Sequence, residues 1–184
     1  MKQSFRVMVP ALMIAACSKG PEVDLHNASA NQVSQAVQQS GVMTSSDTLV
    51  QPGLWESKVS VLDMTMPGMP PEYADRMKQE LARQRNDSNR HCVKPEDVKQ
   101  PKGEFFGADK SCRYEHFTMG GGKIDIAMVC KRENMTQTTN MSGTYTPTTY
   151  SMDMSSVGTG PQQGMRMKMH VDSKRIGECT GKED

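Results

Sequence analysis

Four of the five cysteines lie beyond residue 90, and their positions predict two disulfide bonds. The segment SCRYEHFTMGGGKIDIAMVC has three consecutive glycines midway between Cys112 and Cys130. If these glycines form a hairpin turn, the two cysteines face each other across neighbouring strands with Cβ atoms about 5 Å apart, near bonding distance. Cys92 and Cys179 then pair by elimination. A four-thiolate zinc site is the alternative, but structural zinc sites usually contain C-x₂-C pairs, which this sequence lacks.

The N-terminal residues predict export, which fits the disulfides because such bonds persist in oxidising compartments. Lys2 and Arg6 give a positively charged start, and an apolar run follows over 7–16. About 20 apolar residues are needed to span a bilayer, so this short run indicates a cleaved signal peptide over 1–16 and not a membrane helix.

The fifth cysteine, Cys17, is the predicted site of lipid attachment. The sequence Ile-Ala-Ala-Cys at 14–17 resembles the lipobox of bacterial lipoproteins, in which small residues precede the modified cysteine. The resemblance implies several acyl chains on Cys17, palmitate among them, and such chains together make a stable membrane anchor. Ser18, in place of Asp, implies the outer membrane, with the protein on the periplasmic side of the bacterial envelope. An ordinary secretory signal cut near Ala16 is the alternative.

Methionine is unusually frequent, with 17 residues, and thioether sulfur can bind Cu(I). The candidate ligands are Met152, Met154, Met167 and Met169, in two segments where methionine alternates with polar residues. A hairpin would place Met152 opposite Met169, and Met154 opposite Met167, on one face of a sheet. Flexible filling of an irregular core is the preferred interpretation. We therefore predict no metal site. The alternatives are copper binding, or a groove whose flexible methionine side chains adapt to a ligand.

The four histidines do not form a recognisable catalytic pattern. His26 falls in a polar N-terminal segment, His91 adjoins a predicted disulfide, and His116 lies opposite Ile126 in the register of the predicted glycine hairpin. No G-x-S-x-G, H-E-x-x-H or P-loop sequence is present. We therefore predict no catalytic residue, no cofactor and no enzymatic activity.

The composition excludes one class of partner and limits the core. The chain has 22 Lys+Arg against 21 Asp+Glu and only 5 % aromatic residues, so it lacks the basic surface of a nucleic-acid-binding protein. Apolar residues make up 35 % of the chain, which is low for a globular protein. A modest core of this kind benefits from disulfide cross-links.

The elements that position these residues begin with a long polar segment. Residues 17–50 are rich in Ser, Gln and Asn, so we predict a flexible tether there. A short helix near 30–40 has too little apolar surface to pack firmly. The folded domain is predicted over 51–181, and it begins with a strand in which Trp55 and Val59 share a face.

The rest of the domain is predicted to contain one helix followed by antiparallel strands. The helix covers 71–87, where Tyr73, Met77 and Leu81 form an apolar stripe that would pack on the domain. Thr, Val, Ile, Tyr and Met then alternate with polar residues between turn-forming clusters. We predict strands near 112–119, 123–132, 135–145, 148–156 and 165–174.

Several motifs together resemble a bacterial envelope family known as domain of unknown function 3617. They are PGLWE at 52–56, MTMPGMPPE at 64–72, HCVKPED around Cys92, the Cys112 and Cys130 pair, GTYTPTTY at 143–150 and RIGEC at 175–179. The resemblance covers about 50–180 and implies an exported, disulfide-bearing domain without an assigned activity.

These observations predict a mainly β protein, with a single antiparallel meander sheet that is curved or a partial barrel. One packed α-helix and two disulfides complete the predicted domain. The predicted function is a non-catalytic, lipid-anchored envelope module that binds a protein, lipid or small molecule on its sheet. A periplasmic copper-binding protein that uses the Met-rich strands is the alternative.

Overall fold

The computed structural model describes residues 22–42, 50–86, 89–99, 109–160 and 164–181. The predicted signal peptide at 1–16 and the predicted lipidation site Cys17 lie outside these residues. The strands are β1 (Glu22–Ser29), β2 (Gly53–Thr65), β3 (Asn89–Val93), β4 (Cys112–Gly120), β5 (Lys123–Arg132), β6 (Met135–Thr146), β7 (Thr149–Thr159) and β8 (Arg166–Gly177). The helices are α1 (Ala30–Ser40), α2 (Pro71–Asn86) and α3 (Pro95–Lys99).

All eight strands belong to one open antiparallel sheet, in the order β1-β4-β5-β6-β7-β8-β2-β3. Strands β4 to β8 form a meander, because each of them pairs with the next strand along the chain. The β4–β5 turn contains Gly121 and Gly122, both at positive φ (57° and 74°), which glycine adopts without steric cost. The predicted mainly β fold with a single antiparallel sheet is confirmed. None of the described helices is long and apolar enough to cross a membrane.

The prediction of a flexible tether over 17–50 is wrong for residues 22–42, because they form β1 and α1. Strand β1 pairs along its length with β4, and α1 buries Val33 and Val37 completely. The helix begins with a reciprocal cap in which the Ser29 hydroxyl accepts from the Gln32 amide and the Gln32 side chain accepts from the Ser29 amide. The segment is polar overall, but the pairing of β1 with β4 and the burial of two valines of α1 are therefore enough to fold it onto the sheet.

The hydrophobic core lies on one face of the sheet, where α1 covers β1 and β4. Its largest fully buried side chains are Trp55, Tyr114, Phe117, Met119 and Ile126. The Trp55 indole donates from Nε1 to the Gln51 carbonyl oxygen at 2.9 Å. Tyr114 and Phe117 meet edge to face with ring centroids 5.6 Å apart. Strand alternation thus brings residues that are distant in sequence into one apolar layer.

Both predicted disulfides are confirmed. Cys112 and Cys130 are directly opposed on β4 and β5, as the glycine hairpin implies. Cys92 of β3 bonds to Cys179, with Cα atoms 5.5 Å apart. The second bond joins edge strand β3 to the segment after β8, and so links the two strands that flank β2.

The predicted helix at 71–87 is present as α2, but its apolar stripe does not pack as expected. Tyr73 and Met77 are exposed, whereas Ala74 and Lys78 are half-buried. The Lys78 ammonium donates to the carbonyl oxygen of Leu62 in β2 at 2.8 Å. A lysine hydrogen-bonded to the backbone of β2 thus helps to hold α2 on the sheet, and the side chain of Leu81 lies outside the described part.

The predicted register of the β7–β8 hairpin is wrong by two residues. Met154 lies opposite Met169, whereas Met152 faces Val171 and Met167 faces Ser156. Backbone hydrogen bonds from Gly158 to Met165 and from Gly164 to Gly158 close the loop one residue later than the symmetric turn predicts. A two-residue shift leaves every side chain on its original face, so the predicted alternation is unaffected.

The predicted position of His116 is also shifted. Strand β4 has an irregularity between Tyr114 and His116, after which His116 lies opposite Ala127 and Phe117 lies opposite Ile126. A bulge of this kind inserts one extra residue and reverses the alternation of faces beyond it. The extra residue, Glu115, therefore lets Tyr114 and Phe117 share the core and turns His116 to the opposite face.

Candidate binding face

The two faces of the sheet differ sharply in chemistry. The apolar face carries the core residues and is covered over β1 and β4 by α1. The opposite surface, called the polar face, carries short hydroxyl and amide side chains between charged ones. Across β5 to β8 its members are Asp125, Asn140, Ser142, Thr144, Ser151, Asp153, Ser155, Lys168, His170 and Asp172.

Three open cavities of about 470, 310 and 400 Å³ lie on the polar face. The largest lies over β6, β7, β8 and β2, and the other two share Asp125 and Ser142. Small side chains such as Ser142 and Thr144 line these cavities together with longer charged side chains such as Lys58 and Lys168. The result is a shallow open depression across several strands, in which polar and charged side chains lie beside apolar surface.

Between two of these cavities, His170 lies between the carboxylates of Asp172, which lines the largest cavity, and Asp153, which lines the second. Its Nδ1 is 2.7 Å from Asp153 Oδ1, and its Nε2 is 3.1 Å from Asp172 Oδ2. The hydrogen bond to Asp153, followed by that to Asp172 and by the charges of both, raises the pKa of His170. A hydrogen bond from Ser151 is the largest cause that lowers the pKa of Asp172. The group therefore favours an imidazolium held by two carboxylates.

Ser151, His170 and Asp153 superficially follow the order of a hydrolase triad, with Ser151 Oγ 3.4 Å from His170 Nε2. A general base needs a free nitrogen lone pair to accept the serine proton. Asp172 occupies the same Nε2, and the raised pKa favours a protonated ring. Ser151 in turn hydrogen-bonds to Asp172. This geometry favours charge pairing over activation of Ser151.

A second charged group borders the largest cavity. Glu56 Oε2 is 3.3 Å from Lys174 Nζ, and Glu56 Oε1 is 3.3 Å from an Arg90 guanidinium nitrogen. One carboxylate thus links three neighbouring strands, because Glu56 lies on β2 between β8 and β3. Lys58, Lys174, Glu56 and Asp172 line the same cavity, so this end offers both signs of charge to a ligand.

At the other end of the polar face lie two further histidines. His26 of β1 is directly opposite His116 of β4, with ring centroids 5.1 Å apart. His26 Nε2 is 3.4 Å from Asp24 Oδ1, and His116 Nε2 is 3.2 Å from Asp125 Oδ1. The sequence did not predict this group, because its polar composition indicated a tether around His26. The Asp24–His26 spacing of two residues, which puts side chains on one face of a strand, was the available signal.

The candidate copper ligands Met152, Met154, Met167 and Met169 all lie on the apolar face and are half-buried. Met152 and Met154 pack against the core. Only one of their pairs, Met154 with Met169, is directly opposed, and β6 extends that row with Met141. The arrangement matches the use of methionine as a flexible core side chain.

A family model described as protein of unknown function (DUF3617) matches residues 50–179. No curated protein and no solved structure shows a significant match to the chain. The matched region contains β2 to β8 and all four disulfide cysteines, whereas β1 and α1 precede it.

Proposed function

The chain belongs to the family described as protein of unknown function (DUF3617), and we propose that it is a non-catalytic, lipid-anchored module of the bacterial cell envelope. In this proposal the domain binds a hydrophilic ligand on the polar face of its sheet. The single observation that carries the proposal is that three cavities share this face and have hydroxyl, amide and charged linings.

The proposed anchor rests on the sequence at 1–17, with lipid on Cys17 and the outer membrane as the destination. The structure adds a geometric consequence, because β1 begins at Glu22. The four residues between Cys17 and β1 span at most about 14 Å when fully extended. An anchored domain would therefore lie close to the membrane surface and not on a long stalk.

The chemistry of the polar face favours a ligand that forms hydrogen bonds over an acyl chain. Ligand sites for apolar molecules are usually enclosed and lined by hydrophobic side chains. Here Asn140, Ser142 and Ser155 line the central cavity, with Asp153 and Lys168 beside them. Donors, acceptors and both signs of charge suit a polar chain or a peptide laid across the strands.

The anchor is tested by the Cys17→Ser variant, expressed with its signal in a bacterial host. We expect wild-type protein in the membrane fraction with the added mass of a diacylglyceryl group, and the variant in the soluble periplasmic fraction. Wild-type protein without acyl mass, cut near Ala16, would contradict lipidation and support the ordinary secretory signal.

The binding face is tested with the Ser142→Trp variant, which fills the depression at an exposed position. Native mass spectrometry of wild-type protein from cells should show a non-covalent hydrophilic adduct that this variant lacks. Gln79→Trp, on the exposed side of α2, is the matched control and should retain the adduct. Wild-type protein without an adduct, or an adduct that survives Ser142→Trp, would overturn the proposed face.

A further inference from the structure

The histidine pair on β1 and β4 has the ligand types and spacing of a metal site. We propose that Asp24, His26 and His116 bind a divalent transition cation of the Zn²⁺ class. One ligand atom from each of these residues lies within 4.8 Å of the others. This inference goes beyond the proposed function, because it concerns a different end of the polar face and a different ligand.

The backbone explains why these side chains converge. His26 and His116 are directly opposed in the β1–β4 register, so both rings rise from the same position across the two strands. Asp24 precedes His26 by two residues and therefore shares its face. Asp125 lies on the next strand, opposite Thr118, and its carboxylate reaches His116. Two imidazoles and two carboxylates from three neighbouring strands thus lie close together on the polar face.

A local irregularity in each strand sets this orientation. Asn27 has a positive φ of 51°, and β4 has its bulge at the matching point beyond Tyr114. Both strands consequently switch faces together, so that Ala28 and Tyr114 enter the core while His26 and His116 turn outward. The Arg113 guanidinium donates to the side-chain and backbone oxygens of Asn27 and holds the irregularity in place.

The ligand set selects the class of cation. Two imidazoles with a carboxylate suit borderline metals such as Zn²⁺, whereas Mg²⁺ and Ca²⁺ take oxygen ligands. A tetrahedral ion with bonds of about 2 Å places its ligand atoms about 3.3 Å apart, so small rotations of exposed side chains complete the site. The side chains of His26 and Asp24 are 70 % and 59 % exposed, so they can make these small rotations. Asp125 or water takes the fourth position.

The site has a structural consequence, because its ligands come from both sides of the family boundary. Asp24 and His26 precede the region that matches the family, whereas His116 lies within it. A bound cation would fasten the N-terminal strand to the sheet edge. Any ligand that binds only the folded state raises stability by mass action. Zinc should therefore stabilise the docking of β1 and α1 in particular.

The test is a calorimetric titration of Zn²⁺ into the full chain, prepared without a polyhistidine tag and stripped with a chelator. We expect one ion per chain and an affinity that falls at least about tenfold in His26→Gln and in Asp24→Asn. Mg²⁺ should give no heat of binding. Zn²⁺ should also slow amide exchange in β1 of wild-type protein but not of His26→Gln.

His170→Gln is the matched control, since His170 also lies between two carboxylates on the same face. It should bind Zn²⁺ as wild-type protein does. Unchanged affinity in His26→Gln, or loss of binding in His170→Gln alone, would overturn the assignment. His26→Gln and Asp24→Asn alter exposed side chains, and far-ultraviolet circular dichroism without metal should match wild-type protein.

Discussion

His170 shows how two neighbouring side chains control the charge of a third. Asp153 and Asp172 raise its pKa, and His170 in turn contributes to the lowered pKa of Asp172. A histidine whose pKa is higher in the folded state stabilises the protein fully below its unfolded pKa, and that contribution disappears as the pH rises through the folded value. The lowered pKa of Asp172 also stabilises the folded protein, and this contribution is lost as the pH falls through the folded pKa of Asp172.

We predict that His170→Gln lowers the free energy of unfolding mainly between about pH 4 and about pH 6.5, by about 0.5–1 kcal/mol. In that interval the histidine is charged in both states and Asp172 is ionised in the folded protein. Once the pH has risen above the folded pKa of His170, wild type and variant should be equally stable, because the neutral ring has lost its charge pairing. Urea unfolding at several pH values measures the difference, and a pH-independent difference would contradict it.

His91 provides a control of opposite sign. Burial lowers the pKa of His91, so its neutral form is favoured in the folded state. Its contribution to stability is present above the unfolded pKa and is lost as the pH falls. His91→Gln should therefore gain stability relative to wild-type protein in acid, whereas His170→Gln should lose it.

At the scale of elements, β1 and α1 turn a polar N-terminal segment into part of the fold. Val23 and Ala28 point into the core from β1, and Val33 and Val37 complete it from α1. The helix has a complete cap at each end, with Ser29 at its start and Gly41 in the left-handed conformation at its end. These local features allow a short, weakly apolar helix to form where it can dock.

We predict that Ser29→Ala destabilises the protein by about 1 kcal/mol, because it removes the side chain that caps α1. Urea unfolding followed by the fluorescence of Trp55, the single tryptophan, measures this loss. Gln35→Ala, on the exposed side of the same helix, should be nearly neutral. A flexible tether at 22–42 would instead make both substitutions silent.

At the scale of the whole molecule, two disulfides hold an open sheet at different places. Cys112–Cys130 closes a short hairpin with a sequence separation of 18. Cys92–Cys179 has a separation of 87 and joins edge strand β3 to the end of the family domain. Longer loops lose more unfolded-state entropy when they are closed, so the second bond constrains the chain more.

We predict that Cys92→Ala/Cys179→Ala costs about 4.5 kcal/mol of unfolding free energy and Cys112→Ala/Cys130→Ala about 3 kcal/mol. Chemical denaturation of both double variants beside oxidised wild-type protein gives the comparison. A larger loss for the hairpin bond would show that native-state packing, and not loop closure, dominates the stabilisation.

Local patterns in the sequence were sufficient for much of this architecture. Alternating residues gave the five meander strands to within a few residues, and the central glycines placed Cys112 opposite Cys130. These features depend on contacts between neighbours in sequence. The register of β7 and β8 could not be predicted from alternation, because backbone hydrogen bonds from Gly158 to Met165 and from Gly164 to Gly158 set it.

Local alternation, turn chemistry and motif order are enough to predict the β meander, the cysteine pairing and the family. The docking of residues 22–42, and the meeting of Asp24, His26 and His116 on one face, become visible in the folded protein alone. A polar segment of this kind acquires its structure from the sheet edge with which it pairs. Strand β4 supplies that edge, and it lies more than 80 residues away in the chain.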